Sequence, residues 1–306
     1  MIRHFGYACQ NMTLGEFVKP KKNRVLTDRT IRLANFSLYK ANDLILQNVK
    51  DLLKIIYWNK ENGIFFFRVS SNLFPFMDHP DLKYGIDCLK NGDDIKGIIR
   101  RAGDVAKSCG MRLSSHPGAY TCIASPDESI VCKSLDSIEM HSMVGDLLGH
   151  DDFVINIHVG GSYGGDFAGT ADRFALNFAR LTDRAKNRLT IENDDKKNMW
   201  TVQLLYDLIH KKTNLPIVMD IHHHRLNSGG QSMEDALLLA LSTWNRERVP
   251  KIHYSDPRDQ ERPQAHHDYA DGWKDLPEFG VDFDCMIEAK MKELALLRLR
   301  EFSAQR

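Results

Sequence analysis

The chain reads as an α/β protein, a single β/α (TIM) barrel of eight parallel strands spanning residues 1–306. Three observations predict this. Short apolar runs alternate with longer stretches of helical periodicity, as parallel strands joined by right-handed crossovers do. The count of such units reaches eight, the number that closes on itself. The first turn carries Cys9, Gln10 and Asn11, where an open dinucleotide-binding sheet would place a glycine-rich turn.

The elements follow in order. The first strand is expected at residues 5–8. Residues 19–24, with Lys19, Lys21, Lys22 and Arg24, read as a basic loop. A helix over 41–60 carries Ile45, Val49, Leu52 and Ile56 on one face, and Gly63 stops it. The second strand, 64–71, ends in Arg68, Ser70 and Ser71, before a loop holding His79. A helix over 95–109 leads to the third strand, 111–115, which ends at His116. A helix over 134–148 precedes the fourth strand, 153–157, which delivers His158. The pattern repeats with a helix at 171–185 and a fifth strand at 189–191 ending in Glu192. A helix over 199–211 leads to the sixth strand, 217–219. That strand stops at Asp220 and runs into His222, His223 and His224. After a helix over 233–244, the seventh strand, 250–254, carries Lys251 and His253. The eighth, 284–287, ends in Glu288, and a helix over 289–301 closes the series. No linker or low-complexity segment interrupts it, so one domain is expected.

Composition narrows the partners. Lys+Arg and Asp+Glu both number 41, so net charge neither argues for nucleic acid nor excludes a local patch. Six scattered cysteines without a C-x-x-C pair read as reduced thiols. The first residues lack a signal-peptide apolar region, and no apolar run reaches membrane-spanning length. A cytoplasmic protein is expected, neither secreted nor membrane-bound.

The strand ends carry the chemistry. In a β/α barrel they converge on one mouth. Here they present His116, His158, Glu192, Asp220 with His223, His253 and Glu288. Buried charges at six strand ends need partners or metal. The donors are nitrogen and oxygen without thiolate, which favours zinc, manganese, iron, cobalt or magnesium over copper(I). They exceed what one ion uses, so two or three divalent ions are expected, the apparatus of phosphate-ester hydrolysis. Glu192, mid-ring, suits a bridging carboxylate. Lys251 shares a face with His253, either paired with a carboxylate or chemically modified. One of His266 and His267 is a further ligand candidate, and His79 a weaker one. In an extended chain His222 and His224 would point away from His223. His4, His141, His150 and His210 read as structural or surface residues. Tyr7, Gln10, Asn11 and Tyr120 follow the first and third strands. There they either pack loops or meet unpaired bases by stacking and amide hydrogen bonds.

These residues, in this order, resemble the UV damage endonuclease family. The resemblance runs through Gly6-Tyr-Ala-Cys-Gln-Asn-Met-Thr-Leu14, Arg68-Val-Ser-Ser-Asn-Leu-Phe-Pro75 and His116-Pro-Gly118. It continues through His158-Val-Gly-Gly161, Glu192-Asn-Asp194, Asp220-Ile-His-His223, Lys251-Ile-His253, His266-His-Asp-Tyr269 and Ile287-Glu-Ala-Lys290. It implies a β/α barrel with up to three divalent ions, often manganese, acting on damaged double-stranded DNA. The implied reaction nicks the strand directly 5′ to cyclobutane dimers and 6-4 photoproducts, leaves a 3′-hydroxyl, and in some members extends to abasic sites. The implied ligands are His79, His116, His158, Glu192, Asp220, His223, His253, His266 and Glu288. Glu192, Lys251 and Tyr7 are the implied catalytic group. Lys251 matches a lysine that can be carboxylated in the family. Tyr7, Gln10 and Tyr120 match positions that probe the damaged duplex. One departure stands out: where the family commonly has His-Pro-Gly-Gln-Tyr, this chain has Ala119, whose methyl group cannot hydrogen-bond an orphaned base. The competing readings are an abasic-site endonuclease of the endonuclease IV type and a damage-binding protein without chemistry.

Overall fold

Eight short strands form one parallel sheet that curls almost shut. The structure, a computed structural model, describes residues 2–17, 23–24, 29–82, 84–245, 248–275 and 280–304. The strands are β1 Ile2–Ala8, β2 Phe66–Val69, β3 Arg112–Ser115, β4 Val154–His158, β5 Leu189–Glu192, β6 Ile217–Val218, β7 Lys251–Tyr254 and β8 Phe283–Ile287. Their order is β6-β5-β4-β3-β2-β1-β8-β7, every pairing parallel. The two ends of this row meet through a single parallel bridge between Asp220 and His253. There the His253 N–H donates to the Met219 carbonyl at 2.9 Å. The expected barrel is therefore present, with its closure resting on the pair of strands that carry Asp220, Lys251 and His253.

Helices cover the outside, and their caps explain the boundaries. Ser37 opens Leu38–Glu61, Asp127 opens Glu128–Leu148 and Ser232 opens Met233–Ser242, each accepting a backbone N–H. The expected helix over 171–185 is two helices, Phe167–Phe178 and Asp183–Arg188. The break falls at Thr182, whose hydroxyl caps the second helix while its own N–H donates to Glu139 at 2.7 Å. The last helix begins at Lys292, later than expected. Of the basic loop, residues 19–22 lie outside the described residues, and Asn23–Arg24 pair antiparallel with Glu16–Phe17.

Alternation along the strands sorts side chains between two cores. Outward residues such as Tyr7, Phe67 and Ile155 join the large core beneath the helices. Inward, Ala8, Phe66 and Met286 form a small plug inside the barrel. Gly6 makes room for it, because a Cβ there would stand 2.7 Å from the Phe66 ring. Below the plug Arg112 pairs with Asp284 across the barrel at 2.7 Å. Above it lie the polar strand ends.

Candidate metal centre

The site begins with the local fold at Asp220. β6 ends after Val218, and the chain turns directly into the helix Ile221–Leu226. Asp220 is its N-cap: one carboxylate oxygen accepts the His223 N–H at 2.8 Å. The other oxygen is buried without a hydrogen-bond partner. The three histidines thus lie on a helix and not on an extended chain, which corrects the expected alternation. His223 faces Glu192 at 3.6 Å, while His222 packs against His266 with ring centroids 5.5 Å apart.

Glu192 stands at the centre. It is 1% exposed. One oxygen lies 3.2 Å from His116 Nε2, and the other 3.2 Å from His253 Nδ1. Asn156, two residues before His158 on β4, also donates to it. His116, His158 and Glu192 bring ligand atoms within 4.8 Å of one another, and so do Glu192, Asp220 and His253. Glu192 is the shared member of both groups, the placement a bridging carboxylate requires. Glu288 adjoins the second group, 3.1 Å from His253 Nδ1, and is held from behind by Arg68.

The electrostatics are those of a negative cage lined with imidazoles. Burial disfavours the charged form of Glu192, yet His253 and His158 outweigh it and hold the carboxylate well below its ordinary range. Glu288 is held down in the same way against burial, by Arg68 and then His253. Burial works against charge on His158, but Glu192, Asp194 and Asp220 push it up to about 10. His223 is pushed up to about 9 by Asp220 and Glu192, again against burial.

The donor set fits divalent ions. Besides Asp220 Oδ2, the Nε2 of His253 and the Nδ1 of His266 are buried without hydrogen-bond partners. Native folds rarely leave such atoms orphaned, and a metal would satisfy them. Second-layer groups are in place too. Asn193 locks Asp220 by two backbone bonds, at 2.8 Å and 3.0 Å, and its own carbonyl lies 2.8 Å from His223 Nδ1. Asp194 lies 3.1 Å from His158 Nδ1.

Lys251 is fully buried two residues before His253, and its Nζ has no hydrogen-bond partner. No carboxylate pairs with it among the described residues. Burial, then the charges of Arg112 and Arg68, depress its pKa to about 7.

The structure separates the other candidates. Tyr120 is 65% exposed at the rim, its hydroxyl 3.5 Å from Asp78. Gln10 is half-buried in the turn after β1. Tyr7, in contrast, is fully buried beneath the helix Leu38–Glu61. Its hydroxyl donates to Asn59 at 2.6 Å and accepts from Asn11 at 2.9 Å. The expectation that Tyr7 meets a damaged base or takes part in chemistry does not fit this enclosed position, because β1 alternation turns its ring away from the mouth. Asn11 is likewise buried, bracing Leu14 N–H at 2.8 Å. His79 stands outside both ligand groups, and its Nδ1 accepts the Asp81 N–H at 3.3 Å. His141, His150 and His210 are structural as expected: burial drops His141 to about 3, His150 bonds Gly103 and His210 bonds Leu215.

Sequence reasoning did not assign Arg68, Asn156, Asn193, Asp194 or Tyr163. The i, i+2 spacing of Asn156 and His158 on one strand was an available signal. Tyr163 is 41% exposed in the glycine-rich loop after β4, with Arg173 5.2 Å from its ring centroid. Nothing local marks it in the sequence.

Fold and ring together define a β/α barrel with a cluster of imidazoles and carboxylates at its C-terminal mouth, where the active sites of such barrels lie. Within that class the chain belongs to the UV-endonuclease UvdE family, whose model matches residues 3–305. It is 35% identical to the UV-damage endonuclease of Schizosaccharomyces pombe over 96% of this chain and 49% of that protein. The chain thus spans about half the length of that relative. It is 32% identical to the UV DNA damage endonuclease of Bacillus cereus (strain G9842), over 98% of this chain and 94% of that one. Among solved structures it resembles SacUVDE with a TM-score of 0.82 at 31% identity, covering 98% of this chain and 99% of that one.

Proposed function

We propose that the chain is a DNA repair endonuclease that nicks the strand directly 5′ to UV photoproducts. The reaction is phosphodiester hydrolysis leaving a 3′-hydroxyl, on cyclobutane dimers, 6-4 photoproducts and abasic sites. The observation that carries this is Glu192, shared between two ligand groups whose atoms each lie within 4.8 Å of one another. Such sharing is suited to two or three divalent ions, manganese first, with zinc, cobalt or magnesium as substitutes. His116 and His158 would hold one ion with Glu192. Asp220, His253 and Glu288 would hold another, and His223 and His266, with His79 at the rim, are the donors for a third. Bound there, such ions ionise a water at neutral pH and stabilise both the attacking and the leaving oxygens.

The chain's own residues do the rest. Asn156, Asn193 and Arg68 fix Glu192, Asp220 and Glu288, so the ring is set before substrate arrives. Lys251, depressed to about 7 by burial and two arginines, is available in its neutral form. A neutral amine is the form that takes up carbon dioxide, and carboxylation would turn it into an anionic neighbour of the ring. Exposed Tyr120, by stacking, and Gln10, by amide hydrogen bonds, meet the lesion. The protein works on damaged duplex as a monomer, where the genome is, without a protein partner. Among the described residues no helix is long and apolar enough to cross a membrane.

The test is a nicking assay on an end-labelled duplex carrying one cyclobutane dimer, one 6-4 photoproduct or one abasic site, with manganese and after chelation. A metal-dependent cut just 5′ of the photoproduct supports the reading. Cutting at the abasic site alone moves the assignment to an endonuclease IV-type activity. Binding without cutting under every metal overturns the catalytic mechanism.

A further inference from the structure

A second cavity, of about 310 Å³, opens at the other end of the barrel, where the strands begin. It is framed by Arg3 of β1, Lys107, Arg112 at the start of β3, and Arg248 just ahead of β7, with Asp152 and Asp284 as its acids. Four permanent cations thus face two carboxylates, and both carboxylates are engaged. Asp284 Oδ2 accepts from Arg112 at 2.7 Å, and Asp152 lies 3.6 Å from His150 Nδ1.

Among these cations Arg248 carries a buried donor without a partner. Its Nη1 donates to the Asn187 carbonyl at 2.7 Å, but its Nη2 is enclosed without a hydrogen-bond partner. Burial, then the charge of Arg112, depresses its pKa. Both guanidinium groups share the Trp244 ring, at 6.0 Å and 5.5 Å from its centroid. The strand-beginning face of a barrel ordinarily serves stability. Like charges crowded around an unpaired donor oppose stability, so the arrangement points to an absent anion.

The remaining atom narrows the anion. Asp284 is 3% exposed, and its Oδ1 is buried without a partner. An acceptor at a cationic pocket needs a ligand that also donates. Sulfate or chloride has no proton to give. A phosphate monoanion has a P–OH, and a nucleotide has sugar hydroxyls. The volume sits at the small end of ligand pockets, ~300–1,000 Å³. We propose that this cavity binds a phosphate group, free or on a mononucleotide, independently of the metal ring. Its oxygens accept from Arg248 Nη2 and from the Arg3 and Lys107 side chains, and its hydroxyl donates to Asp284.

The test is calorimetric titration of the metal-loaded full chain. The probes are inorganic phosphate, adenosine 5′-monophosphate, adenosine, and sodium chloride at matched ionic strength. Phosphate and the mononucleotide should bind, and adenosine and chloride should not. Tighter binding of the mononucleotide identifies a nucleotide site, and equal binding a free-phosphate site. Arg248→Gln should weaken binding ~10-fold, one charge-assisted hydrogen bond, with nicking unchanged. Glu192→Gln, in the metal ring, should leave this binding in place. Lys107→Gln, on an exposed side chain that the fold does not need, should weaken it ~3-fold, a solvent-screened charge. Binding lost in Glu192→Gln and kept in Arg248→Gln would place the phosphate at the metal ring and overturn the proposal. If Arg248→Gln fails to fold, unchanged affinity in Lys107→Gln overturns it equally.

Discussion

Lys251 gives the sharpest measurement. Its ammonium is fully buried with no hydrogen-bond partner, and its pKa is brought down from an ordinary 10.5 to about 7. A depressed lysine takes up its proton more readily in the unfolded chain. The penalty is therefore fully present below pH 7, shrinks as pH rises, and vanishes above 10.5. The difference corresponds to ~5 kcal/mol at or below pH 7, as an order of magnitude. Lys251→Met keeps volume and shape while removing the charge. In the metal-free protein, urea unfolding at pH 7 should show the variant more stable by several kcal/mol, with the gap closing towards pH 10. The same variant should nick damaged duplex poorly, because the proposed anionic neighbour of the ring is gone. Mass spectrometry of the native protein in bicarbonate tests that state directly, as an added carbon dioxide on Lys251. A variant no more stable at pH 7, with the gap flat across pH, would refute the reasoning that this lysine is held against its own solvation.

Four further outcomes follow from the same geometry. Glu192→Gln leaves His116 and His253 without their anion. Breaking a buried charge pair costs ~3–5 kcal/mol, so manganese titration should show affinity at least ~100-fold weaker; unchanged stoichiometry and affinity contradict the bridging role. Tyr7→Phe strips Asn59 of its donor and should lower stability by ~1–3 kcal/mol while nicking persists; lost nicking in a folded variant would restore Tyr7 to the chemistry. Ala119→Gln restores an amide beside exposed Tyr120 and should tighten binding of damaged over undamaged duplex up to ~10-fold in a competition assay. After chelation, His158 and His223, raised to about 10 and about 9, add stability that is complete below their ordinary 6.5. That stability is lost as pH rises through 9 to 10. Glu192 and Glu288, held below their ordinary 4.5, add stability present above it and lost on acidification. Metal-free protein should resist urea best between pH 4.5 and 6.5, with Lys251 partly offsetting the alkaline loss; a maximum above pH 8 contradicts this.

The barrel was legible because a buried parallel strand is a short apolar run, and six of the eight stop at histidines or carboxylates. The ring was legible for the same reason. His158, Glu192, Asp220 and Glu288 each terminate or follow an apolar run, and a sequence shows directly where such a run stops. What was hidden is set by direction. A two-residue period says which residues share a face, but not which face looks inward. Tyr7 and Ala8 are neighbours, yet Ala8 fills the barrel and Tyr7 packs under a helix. Its hydroxyl is used by Asn59, 52 positions away, a partner no local pattern announces.

The same limit explains the histidine triplet and the far end of the barrel. Whether His222 or His223 faces Glu192 depends on Asp220 capping a helix at once, not on strand alternation. That cap divides the two oxygens of Asp220, one spent on the backbone and one left for the ring. The orphan at Arg248 has no sequence signature at all, since its neighbours come from the starts of β1, β3 and β8. One barrel interior thus carries two unsatisfied polar sets, separated by the plug of Ala8, Phe66 and Met286. The anionic set at the mouth calls for cations, and the cationic set at the base calls for an anion. With the apolar plug between them, the two sites should bind without strong coupling, so phosphate at the base should leave manganese affinity at the mouth unchanged within twofold.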